Sequence, residues 1–339
     1  MKKKFSLVFA AILSLALVLS ACGQGSQNQA SSDKTEGGKT YKFKLAHIAQ
    51  ASHGWNKTSE KFSEELKTRS NGRMTVDLFP AGQLGTEKDE VQQLETGTLD
   101  FALLTNAYLS TRSEAFNAWF MPFMFNDLEK ASAARNTEPA KKILAELSKQ
   151  GIVALDISFI GNRHILMKGN SITKPEDLKG KKIRIIGSPA IQDFWKAVGA
   201  GPTPMPLSEV YIALQTGVID GIDIDLDALM TEKYYEIAKN LTLTNHMTFA
   251  GVIVMSKAKY DALSPEDQKI VTEAIKAAVD WGTKEAIAGE SKYLEELKAK
   301  GVTVTQLANA DAFKAVRDEI NAKYSSNPLI KEFIQANQK

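Results

Sequence analysis

Cysteine is almost absent from this chain: Cys22 is the only one in 339 residues. No intrachain disulfide can form, and no second thiol is available for a redox pair or a metal. Histidine is nearly as scarce, and His47, His53, His164 and His246 are scattered without metal-ligand spacing. Gly-x-Ser-x-Gly, His-Glu-x-x-His, the P-loop and the dinucleotide-binding glycine fingerprint are all missing. The sequence therefore offers no catalytic residue, no metal site and no cofactor site, and the chain reads as a non-enzyme. Basic residues are dispersed and no aromatic–basic repeat occurs, which argues against nucleic acid as a partner. Long apolar runs are limited to Phe5–Leu19, shorter than the roughly 20 residues a spanning helix needs.

What is present begins around that run. Lys2, Lys3 and Lys4 precede it and Leu19-Ser20-Ala21-Cys22 closes it. A basic start, an apolar middle and small residues at the cut are the layout of a bacterial secretory signal over residues 1–21. The tetrapeptide resembles a lipobox, in which the cysteine becomes the lipidated first residue. Cys22 is thus the expected lipidation site, with ordinary cleavage beside an incidental cysteine as the alternative. Residues 23–40 carry one apolar side chain, Ala30, and cannot bury enough surface to fold. Residues 22–40 are expected to form a flexible tether with a reach of roughly 20–25 Å. The protein is expected outside the cytoplasm, lipid-anchored to the outer face of the cell membrane or periplasmic. Loss of residues 1–21 removes three lysines and takes the formal charge from +2 to −1.

The roughly 300 residues that follow exceed one ordinary core and suit two domains. Short β-branched runs alternate with helical patterns, which argues an α/β fold. Tyr41–Ala46 and Met74–Phe79 read as strands, Trp55–Arg69 and Thr86–Thr96 as helices, and Leu99–Leu104 as a buried strand. Leu94-Glu95-Thr96-Gly97-Thr98-Leu99-Asp100 recurs as Leu214-Gln215-Thr216-Gly217-Val218-Ile219-Asp220. Each copy ends a helix with a left-handed glycine cap and drops into an apolar strand. Two lobes of like topology follow, with a cleft between them as the natural binding site. Ser264-Pro265-Glu266-Asp267 starts a long helix, and the helical C-terminal third is expected to brace both lobes.

Arg184 interrupts the apolar run Ile183, Ile185, Ile186, which reads as a buried strand. A guanidinium cannot shed its proton, so it needs an anionic partner there. That partner is either an internal carboxylate or a bound carboxylate ligand.

Several segments resemble the extracytoplasmic solute receptors of tripartite ATP-independent periplasmic (TRAP) transporters. They are Phe79-Pro80-Ala81-Gly82-Gln83-Leu84-Gly85, the run Pro175–Arg184, Gly201–Pro206, Glu209–Gly217 and Asp220-Gly221. The resemblance spans residues 43–335 and implies a two-lobed periplasmic-binding-protein-like fold with a hinge, a central cleft and C-terminal bracing helices. On that plan residues 41–161 with 249–285 form lobe I, and 162–248 with 286–339 form lobe II. It implies a monomeric receptor for a small organic acid, handing its ligand to a sodium-driven membrane permease. Arg184 falls at the family's main carboxylate-binding position and Arg163 at its supporting arginine. His47, Asn106 and Leu207 fall where ligand contacts are expected. Where many members carry an asparagine after Asp-Gly, this chain has Ile224, flanked by Asp223 and Asp225. Those aspartates either bond ligand hydroxyls or balance Arg163. A receptor lipoprotein serving an ATP-driven or signalling system is the alternative reading.

Overall fold

The repeated segment ending in Asp100 and Asp220 closes the same structural unit twice. The computed structural model describes residues 38–307 and 309–337; the signal segment, Cys22 and residues 22–37 of the tether lie outside them. The chain runs β1 (Tyr41–Ala46), α1 (Gly54–Arg69), β2 (Met74–Phe79), α2 (Glu87–Thr96), β3 (Phe101–Thr105) and α3 (Asn106–Arg112). A 3₁₀ segment (Glu114–Phe120) leads to α4 (Leu128–Ala134), α5 (Glu138–Ala145) and the long β4 (Ile152–Asn162). The second half opens with β5 (His164–Met167), β6 (Lys182–Ile185), α6 (Pro189–Ala197), β7 (Gly201–Pro204), α7 (Val210–Thr216), β8 (Gly221–Ile224), α8 (Leu226–Thr231) and β9 (Asn240–Leu243). The chain then returns through β10 (Thr248–Ser256), α9 (Lys257–Asp261), α10 (Pro265–Ala299), β11 (Thr303–Gln306), α11 (Lys314–Tyr324) and α12 (Pro328–Asn337).

Two mixed sheets result, ordered β2-β1-β3-β10-β4 and β11-β9-β5-β8-β6-β7. Read from β2 and from β7, their first five strands match: three parallel strands, then one antiparallel to them, then a fifth that runs with the first three, and β11 adds a sixth strand to the second sheet. The repeat explains part of the match. Gly97 (φ 72°) and Gly217 (φ 76°) take the left-handed conformation that ends α2 and α7. Asp100 then accepts the backbone N–H of Lys44 on β1 at 2.9 Å, and Asp220 that of Lys182 on β6 at 2.8 Å. Each aspartate's own carbonyl receives an amide beside the antiparallel neighbour, from Ser256 and Lys168 respectively.

Two short links join the sheets. Arg163 is the single residue between β4 and β5, and Thr244–Met247 return the chain from β9 to β10. The links are tied together, Arg163 N–H to Met247 O at 2.7 Å and Thr244 Oγ1 to Arg163 O at 3.3 Å.

One face of the first sheet packs Phe43 and Phe101 under Phe62 of α1, with ring centroids 5.2–5.3 Å apart at Phe101. Ser264 caps α10 by accepting from Asp267 N–H at 3.1 Å, and Pro265 occupies its first turn. The helix then continues unbroken for 35 residues and packs on α1, β4 and α8. The last helices divide between the halves. α11 lies on α6, whereas α12 lies on α5 and the 3₁₀ segment, with Phe333 against Trp119 at 4.6 Å. The apolar side chains of α12, Phe333 among them, pack in the first half. Among the described residues no helix is long and apolar enough to cross a membrane.

Candidate binding cleft

The parallel strands of both sheets end at a common cleft of about 700 Å³, the end at which open α/β sheets hold ligands. From the first half it is lined by the loop after β1 (Ile48, Ala49), Trp55 at the start of α1, Glu87 at the start of α2, Thr105 at the end of β3, and Phe249 on β10. The second half contributes Arg184 from β6 and Ile186 just after it, Met205 and Leu207 after β7, and Ile224 at the end of β8 with Asp225 following it.

Arg184 is 2% exposed. Its Nε and Nη2 donate to the carbonyl of Met205 at 3.2 and 2.9 Å, while Nη1 has no hydrogen-bond partner. No carboxylate among the described residues lies within ion-pair distance of it, which removes the internal salt bridge as its explanation. Burial pulls its pKa down to about 10, so the guanidinium remains charged at neutral pH. A fixed positive charge with a free donor thus stands in a largely apolar cleft.

Arg163 also lines the cleft, but each of its three nitrogens already donates a hydrogen bond within the protein. Nε bonds Asp223 Oδ1 at 2.5 Å, Nη1 bonds Asp225 Oδ2 at 3.1 Å, and Nη2 bonds the Asp223 carbonyl. Its face lies 4.8 Å from the ring centre of Phe249. Residues i and i+2 of an extended strand share a side, so both aspartates reach the same arginine. Asp225 also caps α8 by accepting from Ala228 N–H at 2.9 Å. The other oxygen of Asp223 accepts from Trp195 Nε1 at 3.1 Å. Burial alone would raise the Asp223 carboxyl; Arg163 and His246 beside it outweigh that and hold it well below the usual range.

Of the other residues singled out in the sequence, Leu207, Ile224 and Asp225 line the cleft, whereas His47, Asn106 and Asp223 do not. Asp223 is fully buried behind Ile224 and Asp225, and of the two roles open to it the structure displays the balancing of Arg163. His47 is also fully buried, its Nε2 3.3 Å from Asn56 Oδ1. Burial, with His53 nearby, lowers its pKa to about 4 and keeps it neutral. Ile48 and Ala49 form the wall in its place. Asn106 starts α3 one residue past the cleft-lining Thr105, and its buried amide has no hydrogen-bond partner. In each case the strand or helix brings the residue to the correct end of the sheet and its side chain goes into the packing.

Sequence reasoning missed Glu87 and Phe249. Glu87 accepts the N–H of Thr105 at 2.6 Å and its hydroxyl at 3.1 Å; burial raises its carboxyl to about 7, with the Thr105 bonds opposing. One turn on, Glu90 has no partner for either oxygen, and burial pushes it to about 9. The only local signal for Glu87 is its place just after the Phe79–Gly85 motif. Phe249 has none, since it reaches the cleft through the return of β10. There it stacks on Trp55 (5.3 Å, 26°). Gly251 makes room for that indole, because a Cβ there would lie 2.7 Å from it.

A family model described as bacterial extracellular solute-binding protein, family 7, matches residues 45–327. The 2,3-diketo-L-gulonate-binding periplasmic protein YiaO of Escherichia coli K12 is 30% identical over 75% of this chain and 78% of its own. A TRAP periplasmic solute-binding protein from Xanthobacter autotrophicus, solved with bound β-D-galacturonate, is 31% identical with a TM-score of 0.82, covering 87% of this chain and 99% of that one. Another from Bordetella bronchispeptica, with density attributed to pantoate, is 28% identical with a TM-score of 0.84 over 89% and 99%.

Proposed function

The chain belongs to the family 7 bacterial extracellular solute-binding proteins, the extracytoplasmic solute receptors of TRAP transporters, and on that premise we propose that it captures a small organic acid by a carboxylate at Arg184 and delivers it to a membrane permease. The observation that carries the reading is the buried, charged Arg184 with Nη1 unpaired in the interlobe cleft. A planar guanidinium matches a carboxylate, and each charge-assisted hydrogen bond contributes roughly 1.5–3 kcal/mol. The ligands of the relatives named above, diketogulonate, galacturonate and pantoate, are all carboxylates, which supports the same class here.

Arg163 acts from behind as a support, held by Asp223 and Asp225 at the joint of the two sheets. Leu207 and Ile224 supply apolar walls. A ligand that touches both halves binds the closed arrangement better than an open one and so shifts the balance toward closure, the form a permease would recognise. Cys22 provides the lipid anchor, and the receptor works as a monomer on the outer face of the membrane.

Calorimetric titration of refolded protein lacking residues 1–40 tests the reading. One-to-one binding of an organic acid, weakened at least a hundred-fold in Arg184→Ala, is expected; undiminished binding by that variant would refute it. Membrane fractionation of Cys22→Ser tests the anchor. The variant is expected in the soluble fraction, and a variant that stays with the membrane rules out lipidation at this residue.

A further inference from the structure

We infer that the cleft selects a monocarboxylate with a mainly apolar body, aliphatic or aromatic, over polyhydroxylated sugar acids and dicarboxylates. The inference rests on the carboxylate reading above and narrows it. A sugar acid brings four or more hydroxyls that must find partners when the cleft closes, because a buried hydroxyl without a hydrogen bond is costly. Most polar side chains around this cleft are already engaged within the protein. Arg163 spends every nitrogen on Asp223 and Asp225. Asp225 divides its oxygens between Arg163 and the cap of α8. Glu87 and Thr105 are bonded to each other, and His53 accepts from Trp55 N–H at 3.1 Å. Two buried donors remain without partners, Arg184 Nη1 and Trp55 Nε1. Both residues line the cleft and each atom can donate to a ligand oxygen, a small donor set for a polyhydroxylated acid. Glu87 keeps one lone pair on each oxygen for a further donor, which admits a hydroxy acid but not a ring of hydroxyls.

The walls point the same way. Ile224 replaces the amide expected at the end of β8, and Ile186, Met205 and Leu207 continue the apolar surface from the second half. Phe249 and Trp55 face it as a stacked pair. Charge excludes a second carboxylate. Asp223 and Asp225 together outweigh Arg163, so Arg184 is the buried cation left to offset the ligand, the exposed Lys88 being the other cation on the lining, and Asp225 lines the cleft where it repels a second anion.

The test is a calorimetric panel on refolded protein lacking residues 1–40, at one pH and ionic strength, using phenylacetate, 2-hydroxy-4-methylpentanoate, D-galacturonate and succinate. At least one of the first two should bind ten-fold or more tighter than either of the last two. Ile224→Asn should narrow that preference at least ten-fold. Binding of D-galacturonate or succinate as tight as that of both apolar acids, or no measurable binding of the apolar acids, overturns the inference. Repeating the panel with Arg184→Ala separates the two levels. If D-galacturonate binds tightly and depends on Arg184, the receptor reading stands and only the selectivity falls. If the preferred acid binds equally well without Arg184, the carboxylate reading itself has failed.

Discussion

Arg163 and Arg184 come from the same half of the molecule, are both almost fully buried and both border the cleft, yet their surroundings are opposite. Arg163 is gripped by two carboxylates at the joint between the sheets, and its charge is spent on the fold. Arg184 has a backbone carbonyl, an empty Nη1 and no acid, and its charge is held against an unfavourable environment. A buried ion that the protein itself does not pair is the contrast on which the proposed carboxylate site rests. The acids show the same division. Asp223 is held low by its partners, whereas Glu87 and Glu90, with no base nearby, are pushed up.

Removing each arginine should break different properties. Arg163→Ala leaves Asp223 and Asp225 buried without a countercharge, and is expected to destabilise folding by about 3–5 kcal/mol in denaturant titrations. Its loss of ligand affinity, measured on the folded fraction, should be smaller than that of Arg184→Ala. Arg184→Ala should do the reverse, losing about 3 kcal/mol of binding, roughly a hundred-fold, while its thermal midpoint stays level or rises. Equal destabilisation by both substitutions would erase the distinction.

The unpaired acids sharpen the comparison through pH. Glu90 in the folded state holds its proton to about 9, whereas in the unfolded chain it loses it near the ordinary carboxyl range. Between those limits the folded state binds more protons, so stability falls as pH rises. Glu90→Gln should flatten that slope, gaining about 1–2 kcal/mol on wild type between pH 7 and 9. Melting curves of both proteins over that interval check it. The smallest effect is expected from Asp225→Asn. The amide can still cap α8, and removing one negative charge from the cleft wall should tighten acid binding by about 1 kcal/mol, near five-fold.

Much of this was legible in the sequence because it rests on local rules. The left-handed glycines at 97 and 217 and the aspartates that follow them mark equivalent strand entries, and the structure places them so. Arg184 was legible because an arginine inside an apolar strand demands an anion. His47 and Asn106 show the limit. Sequence locates the end of a strand, but whether the side chain there turns to the cleft or into the packing depends on neighbours distant in the chain, such as Asn56 for His47. Phe249 lay beyond local reasoning altogether, since β10 enters the first sheet only after the chain has built the second.

The aspartate fastenings have a consequence for how such a molecule can change over generations. Asp100 and Asp220 pin their strands at the N-terminal ends, while the cleft proposed to hold the ligand lies beyond the C-terminal ends of the same strands, at Thr105 and Asp225. The register of each sheet is thus secured one strand's length from the surface that reads the solute. Substitutions at the reading end, such as the isoleucine at 224, can accumulate without loosening the frame. A lineage can therefore exchange one nutrient for another while inheriting the same chassis.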